Sequence, residues 1–195
     1  MTQFIEADQP KLTDINLLHY VVTPEETIRF IQAACSIAVE YLTRFTILSS
    51  KYCGNQDVIN AFAEFISSSS KLRNLSFSDK PYTSEGLTTI FNALSQSECL
   101  QNFVSLPAYD IEHNESMELV EAVANCIRNN KNLKYLYMVN KNFKPEAAVM
   151  ILSALSESDS LSHFKKLPSL DTELYSYSDV VAELAKIMSN SSTLE

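Results

Sequence analysis

Glycine is nearly missing from this sequence: Gly54 and Gly86 are its only two in 195 residues. No GxxxxGK[ST] phosphate loop, no GxGxxG dinucleotide turn and no GxSxG nucleophile elbow can therefore be written, and the chemistries built on them are excluded. The four cysteines, Cys35, Cys53, Cys99 and Cys126, form no CxxC pair. Neither a disulfide framework nor a zinc site is expected from that spacing. His19, His113 and His163 lie far apart with no i,i+4 partner, so they supply no metal-ligand pair and no triad. Basic residues are few, 15 against 24 acidic, for a net charge of −9 and a pI near 4.8. Nucleic acid, which requires a basic footprint, is disfavoured as a partner. No apolar run approaches the roughly 18 residues of a membrane span. The opening MTQFIEADQPKL has neither the basic region nor the apolar stretch of a secretory signal. The expectation is an acidic, cytoplasmic, non-catalytic protein without cofactor or metal.

Hydrophobic residues make up 46% of the chain, enough for a packed core. They are organised by an internal repeat. Residues 72–132 and 133–193 align without a gap and match at 18 of 61 positions. The matches include Leu72/Leu133, Leu75/Leu136, Ile90/Ile151, Leu94/Leu155, Phe103/Phe164 and Leu106-Pro107/Leu167-Pro168. Repetition at a long fixed period points to supersecondary units that bury their apolar faces against one another.

Within this period, leading leucines fall at Leu12, Leu42, Leu72, Leu100, Leu133, Leu161 and Leu194. Each opens a short alternating run that predicts a strand, followed by a helix-period run. Thr23 precedes Pro24, Glu25 and Glu26, a helix start with an N-cap and first-turn acids. Ile28, Ile31, Cys35 and Ala38 supply the apolar face of that helix. Gly54-Asn55 marks a turn, and Val58, Phe62 and Ile66 line a helix that stops in Ser67–Ser70. The later helices present Gly86, Ile90 and Leu94; Leu119, Val123 and Ile127; Ala147, Ile151 and Leu155; and Val180, Leu184 and Met188. Pro107 and Pro168 each remove a ladder donor and shorten the strands they follow.

The run Leu72, Leu75, Phe77, Tyr82, Gly86, Ile90, Leu94 recurs as Leu133, Leu136, Met138, Phe143, Ala147, Ile151, Leu155. Its pattern, L-x-x-L-x-L-x-x-x-x-L-x-x-x-G-x-x-x-L-x-x-x-L, resembles the leucine-rich repeat in its 28-residue ribonuclease-inhibitor-like form. The family's Asn/Cys ladder position is Lys80 and Lys141 here, with Asp79 and Asn140 one residue earlier. The resemblance implies one domain over 1–195, with about six βα units starting near 12, 42, 72, 100, 133 and 161. It implies a right-handed α/β solenoid, a horseshoe with a parallel sheet on the concave side and helices on the convex side. Leu194-Glu195 stand where a seventh strand would begin. A truncated array, an interface at that end and a plain terminus are all open.

Proteins of this type recognise other proteins on the concave face, as adaptors, inhibitors or exported effectors that act in a host cytoplasm. An alternative is regulation of an enzyme, as in GTPase-activating leucine-rich-repeat proteins. By the same rule the strands display Asp14, Asn16, Arg44, Thr46, Asn74, Ser76, Asn102, Val104, Tyr135, Tyr137, His163 and Lys165. Of these, Arg44, Asn74, Ser76, Asn102, Tyr135, Tyr137, His163 and Lys165 are the candidate partner-binding residues. Arg44, Arg73, Lys134 and Lys165 fall on the projected strands while the acids concentrate on the helices. That separation suits a protein partner with an acidic surface.

Overall fold

The first three helices each begin where a side chain can satisfy open amides of the first turn. In the computed structural model, residues 12–16, 23–37, 40–46, 54–76, 82–107, 116–136, 144–167 and 170–191 are described. Thr23 and Glu26 form a reciprocal capping box at the start of α1 (Pro24–Ile37). The Thr23 amide donates to Glu26 Oε2 at 2.8 Å, and the Glu26 amide donates to Thr23 Oγ1 at 3.2 Å. Asn55 caps α2 (Gln56–Ser68) by accepting from the amides of Asp57 and Val58, and Thr83 caps α3 (Ser84–Gln96) by accepting from that of Gly86. The serine run closes α2: the Ser67, Ser68 and Ser69 hydroxyls turn back on the carbonyls of Ala63, Glu64 and Phe65. Serine used this way competes with helix continuation. α4 (Met117–Asn129), α5 (Pro145–Ser156) and α6 (Ser178–Asn190) complete the set, and each helix packs against the next in chain order.

Three short strands alternate with the first helices. β1 (Asp14–Asn16), β2 (Arg44–Thr46) and β3 (Asn74–Ser76) pair in parallel, in sequence order, with Ile15, Phe45 and Leu75 aligned. These three central residues are buried. Single parallel bridges then link Ser105 to Tyr135 and Tyr135 to Lys166. In each segment the residue after the paired position turns inward, so Leu106 and Leu136 continue the series begun by Ile15.

The expected horseshoe is not what forms. Among the described residues, six helices of 12–14 residues dominate, against three strands of three residues each. A ribonuclease-inhibitor-like solenoid needs one continuous curved sheet along its concave side. Here the sheet has three strands, and pairing resumes only as isolated bridges. One cause is local. Leu100 and Leu161, read as strand starts, lie in 3-10 helices at Glu98–Asn102 and Asp159–His163. The extended backbone begins later, and Phe103 and Phe164 fill the inward place held by Leu42, Leu72 and Leu133. The register by backbone pairing therefore steps by 30 or 31 residues rather than alternating 28 and 33. Three further positions differ. Leu12 is exposed and Thr46 is buried, the reverse of their expected places. In α1 the buried face is Thr27, Ile31 and Ala34, with Ile28 and Cys35 at its margin. Ala38, Lys80, Lys141, Asp79, Asn140 and the Leu194-Glu195 end lie outside the described residues.

The core runs the length of the helix row. At β2 and α2 it is aromatic, where Phe45 lies 5.4 Å from Phe62 and 4.9 Å from Phe65 between ring centroids. Gly86 sits on the third helical residue of α3, against α2, where a β-carbon would run into Ile59 Cδ1. One period later the same two places carry Val120 and Ala147, one carbon removed from one side and one added to the other. Exchange at constant volume of this kind preserves close packing.

Adjacent helices are also tied at their ends by buried side chains. The Ser97 hydroxyl donates to Ile66 O at 2.9 Å, and that of Ser158 to Ile127 O at 2.9 Å. Between them, Asn130 Nδ2 donates to Leu100 O and Phe103 O, both at 2.9 Å, while its Oδ1 accepts from the Asn132 amide at 2.7 Å. Asn130 has no solvent exposure, so its loss strands two carbonyls out of water. Asn130→Ala is expected to lower unfolding free energy by about 2–4 kcal/mol. A urea titration reads this as a lower midpoint, and an unchanged midpoint contradicts the assignment.

Candidate protein-contact site

The strand side of the molecule gathers some of the residues singled out from sequence. Arg44 is exposed on β2, and its Nε lies 3.5 Å from Asp14 Oδ1 on β1. Asn74 and Ser76 are exposed at the two ends of β3. Tyr135 is half-buried in the bridge between Ser105 and Lys166. Lys165 is exposed, and its amide donates to Lys134 O at 3.1 Å. Two others stand off this face. His163 ends a 3-10 helix, and Asn102 ends the equivalent one. Asn102 Nδ2 is engaged with Ser70 O at 2.8 Å and Leu72 O at 3.2 Å, so it ties two segments together. Tyr137 lies outside the described residues.

Exposed charge is partly matched within the chain. Besides the Asp14–Arg44 pair, Arg128 Nε meets Glu157 Oε2 at 3.1 Å and Lys131 Nζ meets Asp159 Oδ2 at 4.0 Å. Exposed pairs like these add little stability. Arg73, Lys134, Lys165 and Lys166 remain as exposed cations along the strand ends.

A second surface was not legible as a site in the sequence. α6 buries Val180, Glu183 and Ile187. Glu183 is kept there by Ser156 Oγ on α5 at 3.4 Å and by Lys186 Nζ at 2.6 Å. Its other face carries Val181, Leu184, Ala185 and Met188 in the i, i+3, i+4, i+7 spacing of one helical stripe. Val181, Ala185 and Met188 are exposed, Met188 at 66%, and Leu184 is half-buried. Met188, expected to point into the core, thus turns outward and Ile187 takes the inner place, while Leu184 stays partly buried against the core. Tyr175 and Tyr177 are exposed just before this helix, at 51% and 47%. A groove of about 490 Å³ opens between the starts of α5 and α6, walled by Val149, Met150, Tyr177 and Val180. Arg128, Glu146 and Asp179 line it with charge.

No group of three potential metal-binding side chains occurs among the described residues. No helix among them is long and apolar enough to cross a membrane.

The fold has counterparts among solved structures. A tropomodulin C-terminal domain from Caenorhabditis elegans superposes with a TM-score of 0.57 at 20% identity, covering 77% of this chain and 86% of that one. A structure of leiomodin-1 actin-binding site 2 gives a TM-score of 0.56 at 19% identity, covering 76% and 81% respectively. The likeness is one of fold, and it replaces the ribonuclease-inhibitor-like resemblance with that of a tropomodulin-type domain. No family model matches the sequence, and no curated protein does.

Cys99 and Cys126 are withdrawn from chemistry. Burial raises the thiol pKa of Cys99, against a hydrogen bond from Ser97 that lowers it. Burial first, and then nearby Cys99, raise that of Cys126, whose Sγ donates to Phe91 O at 3.2 Å. A raised thiol pKa means less thiolate at any working pH, and thiolate is the reactive form. Iodoacetamide at pH 8 is expected to leave Cys99 and Cys126 unlabelled in the native protein and to label both in urea. Site-resolved mass spectrometry checks it, and rapid native labelling of either contradicts the burial argument.

Proposed function

We propose that this chain is a non-catalytic protein-recognition module that meets its partner through the outer face of α6, with actin as the candidate partner. The observation that carries the reading is the uncovered stripe of Val181, Leu184, Ala185 and Met188 on a helix whose inner face is packed. Contiguous exposed apolar side chains at helical spacing mark places where another protein packs. The two exposed tyrosines beside it are of the type enriched at contact hot spots. The fold similarity to a fragment named as an actin-binding site supports the choice of actin. The exposed cations Arg73, Lys134, Lys165 and Lys166 favour the finer reading, a partner surface of acidic character.

A fluorescence titration of monomeric actin into the labelled chain is expected to saturate. The variant Val181→Asp/Met188→Asp is expected to bind at least about tenfold more weakly, with its unfolding midpoint unchanged because both sites are exposed. Absence of saturable binding removes actin, and equal binding by the variant moves the contact away from α6. Raising salt from about 0.05 M to 0.5 M is expected to weaken binding at least about fivefold, since exposed charges are screened. A flat dependence removes the acidic-partner reading alone.

A further inference from the structure

The stripe on α6 has an internal precedent. Set back by one 61-residue period, Val181, Leu184, Ala185 and Met188 become Val120, Val123, Ala124 and Ile127 of α4, and all four are buried. Two observations show which neighbour covers that side. Cys126 on α4 hydrogen-bonds back to Phe91 of α3, so the side it marks faces the preceding helix. Ile127 O accepts the hydroxyl of Ser158, which lies just past α5, so the other side faces the following helix. α2 repeats the arrangement a further period back, with Ile59 against Gly86 of α3 and Ile66 O against Ser97. The outer face of α6 is therefore the surface that α2 and α4 each use to receive the next helix.

The receiving surface dictates what fits it. The two helices that sit on it within this chain share one pattern. α3 brings Gly86, Ile90, Ala93 and Ser97; α5 brings Ala147, Ile151, Ala154 and Ser158. The small residue at the third helical position permits close approach, since any β-carbon at Gly86 meets Ile59. The aliphatic residue fills the groove one turn on, and the serine hydroxyl closes the end by donating to the carbonyls of the receiving helix.

We infer that the outer face of α6 receives a helix from outside the described residues that carries this pattern: Gly or Ala, then Ile or Leu four residues on, Ala three further, and Ser four beyond that. The inference rests on the protein-recognition reading above and names the chemistry of the partner element. A second copy of this chain does not supply such a helix. Its two small third positions, Gly86 and Ala147, are already buried, and its first helix carries Glu26 there, held in the capping box with Thr23. The third positions of the remaining helices are Val58, Leu119 and Val180, which are larger and also buried.

The probe is a labelled synthetic peptide of residues 144–160, which contains α5 and its closing serine, titrated with the full-length chain. Saturable binding with a Kd below about 1 mM is expected, since a single short helix pays its own ordering on binding. Val181→Asp/Met188→Asp in the chain and Ala147→Glu in the peptide are each expected to weaken it at least about tenfold. The peptide change cannot unfold the protein, so it tests the fit even if the chain variant is unstable. No binding up to about 1 mM overturns the inference, as does binding indifferent to both changes. A dimer of the chain that dissociates on Val181→Asp/Met188→Asp, seen by sedimentation, assigns the face to a second copy and also overturns it. Actin binding without peptide binding defeats this inference and leaves the recognition reading standing. Peptide binding without actin binding does the reverse for actin.

Discussion

Polar side chains placed just past one helix, reaching back to the end of the helix before, are the constraint on which this structure turns. Ser97, Asn130 and Ser158 are all buried, and each donates to main-chain carbonyls some 27–31 residues earlier. Apolar packing alone would let neighbouring helices slide, because hydrophobic burial has no direction. A buried carbonyl is different: without a donor it carries a desolvation cost. The ties therefore pick one register for α3 on α2 and for α5 on α4, and Asn130 fixes the end of α4 against the 3-10 turn that follows α3.

That constraint also explains why the two ends of the row differ. α1 begins with Glu25 and Glu26 and carries a polar capping box where α3 and α5 carry glycine or alanine. A charged residue at the point of closest approach keeps another helix from seating. α6 has no such residue on its outward stripe, and its apolar groups are those an inner helix would have covered. The proposed contact surface is thus a face of the helix row left uncovered among the described residues, rather than a separate pocket.

Much of the inner face of the helices could be read from residue spacing. Val58, Phe62 and Ile66, or Ala147, Ile151 and Leu155, recur every four residues, and all are buried. The same rule misplaced α6. Val180 and Met188 are eight apart: Val180 is inside, Met188 is outside, and Ile187 takes the inner place. The same eight-residue spacing keeps Val58 and Ile66 both inside, so what differs at α6 is the covering of the face rather than the turn of the helix. The strand starts failed for another reason. Leu100 and Leu161 are apolar and buried, but they sit in 3-10 turns whose existence depends on Ser97 and Ser158 finding carbonyls on a neighbouring helix. Of the residues proposed for binding, Asn102 proved to be another tie, and the stripe on α6 was missed although the 61-residue offset to α4 contains its signal.

Residue order by itself determined where α1, α2 and α3 begin, through Thr23, Asn55 and Thr83, and which side chains are too apolar to remain in water. Those are local properties, decided within one turn of backbone and by transfer from solvent. Tertiary structure alone decided which apolar face stays uncovered. Val120 and Val181 are the same residue in the same place of a repeated sequence, yet one is at 1% exposure and the other at 45%. The difference lies in the neighbour: α5 packs against α4, whereas among the described residues no helix follows α6. Coverage belongs to the pair of helices and cannot be written in either one.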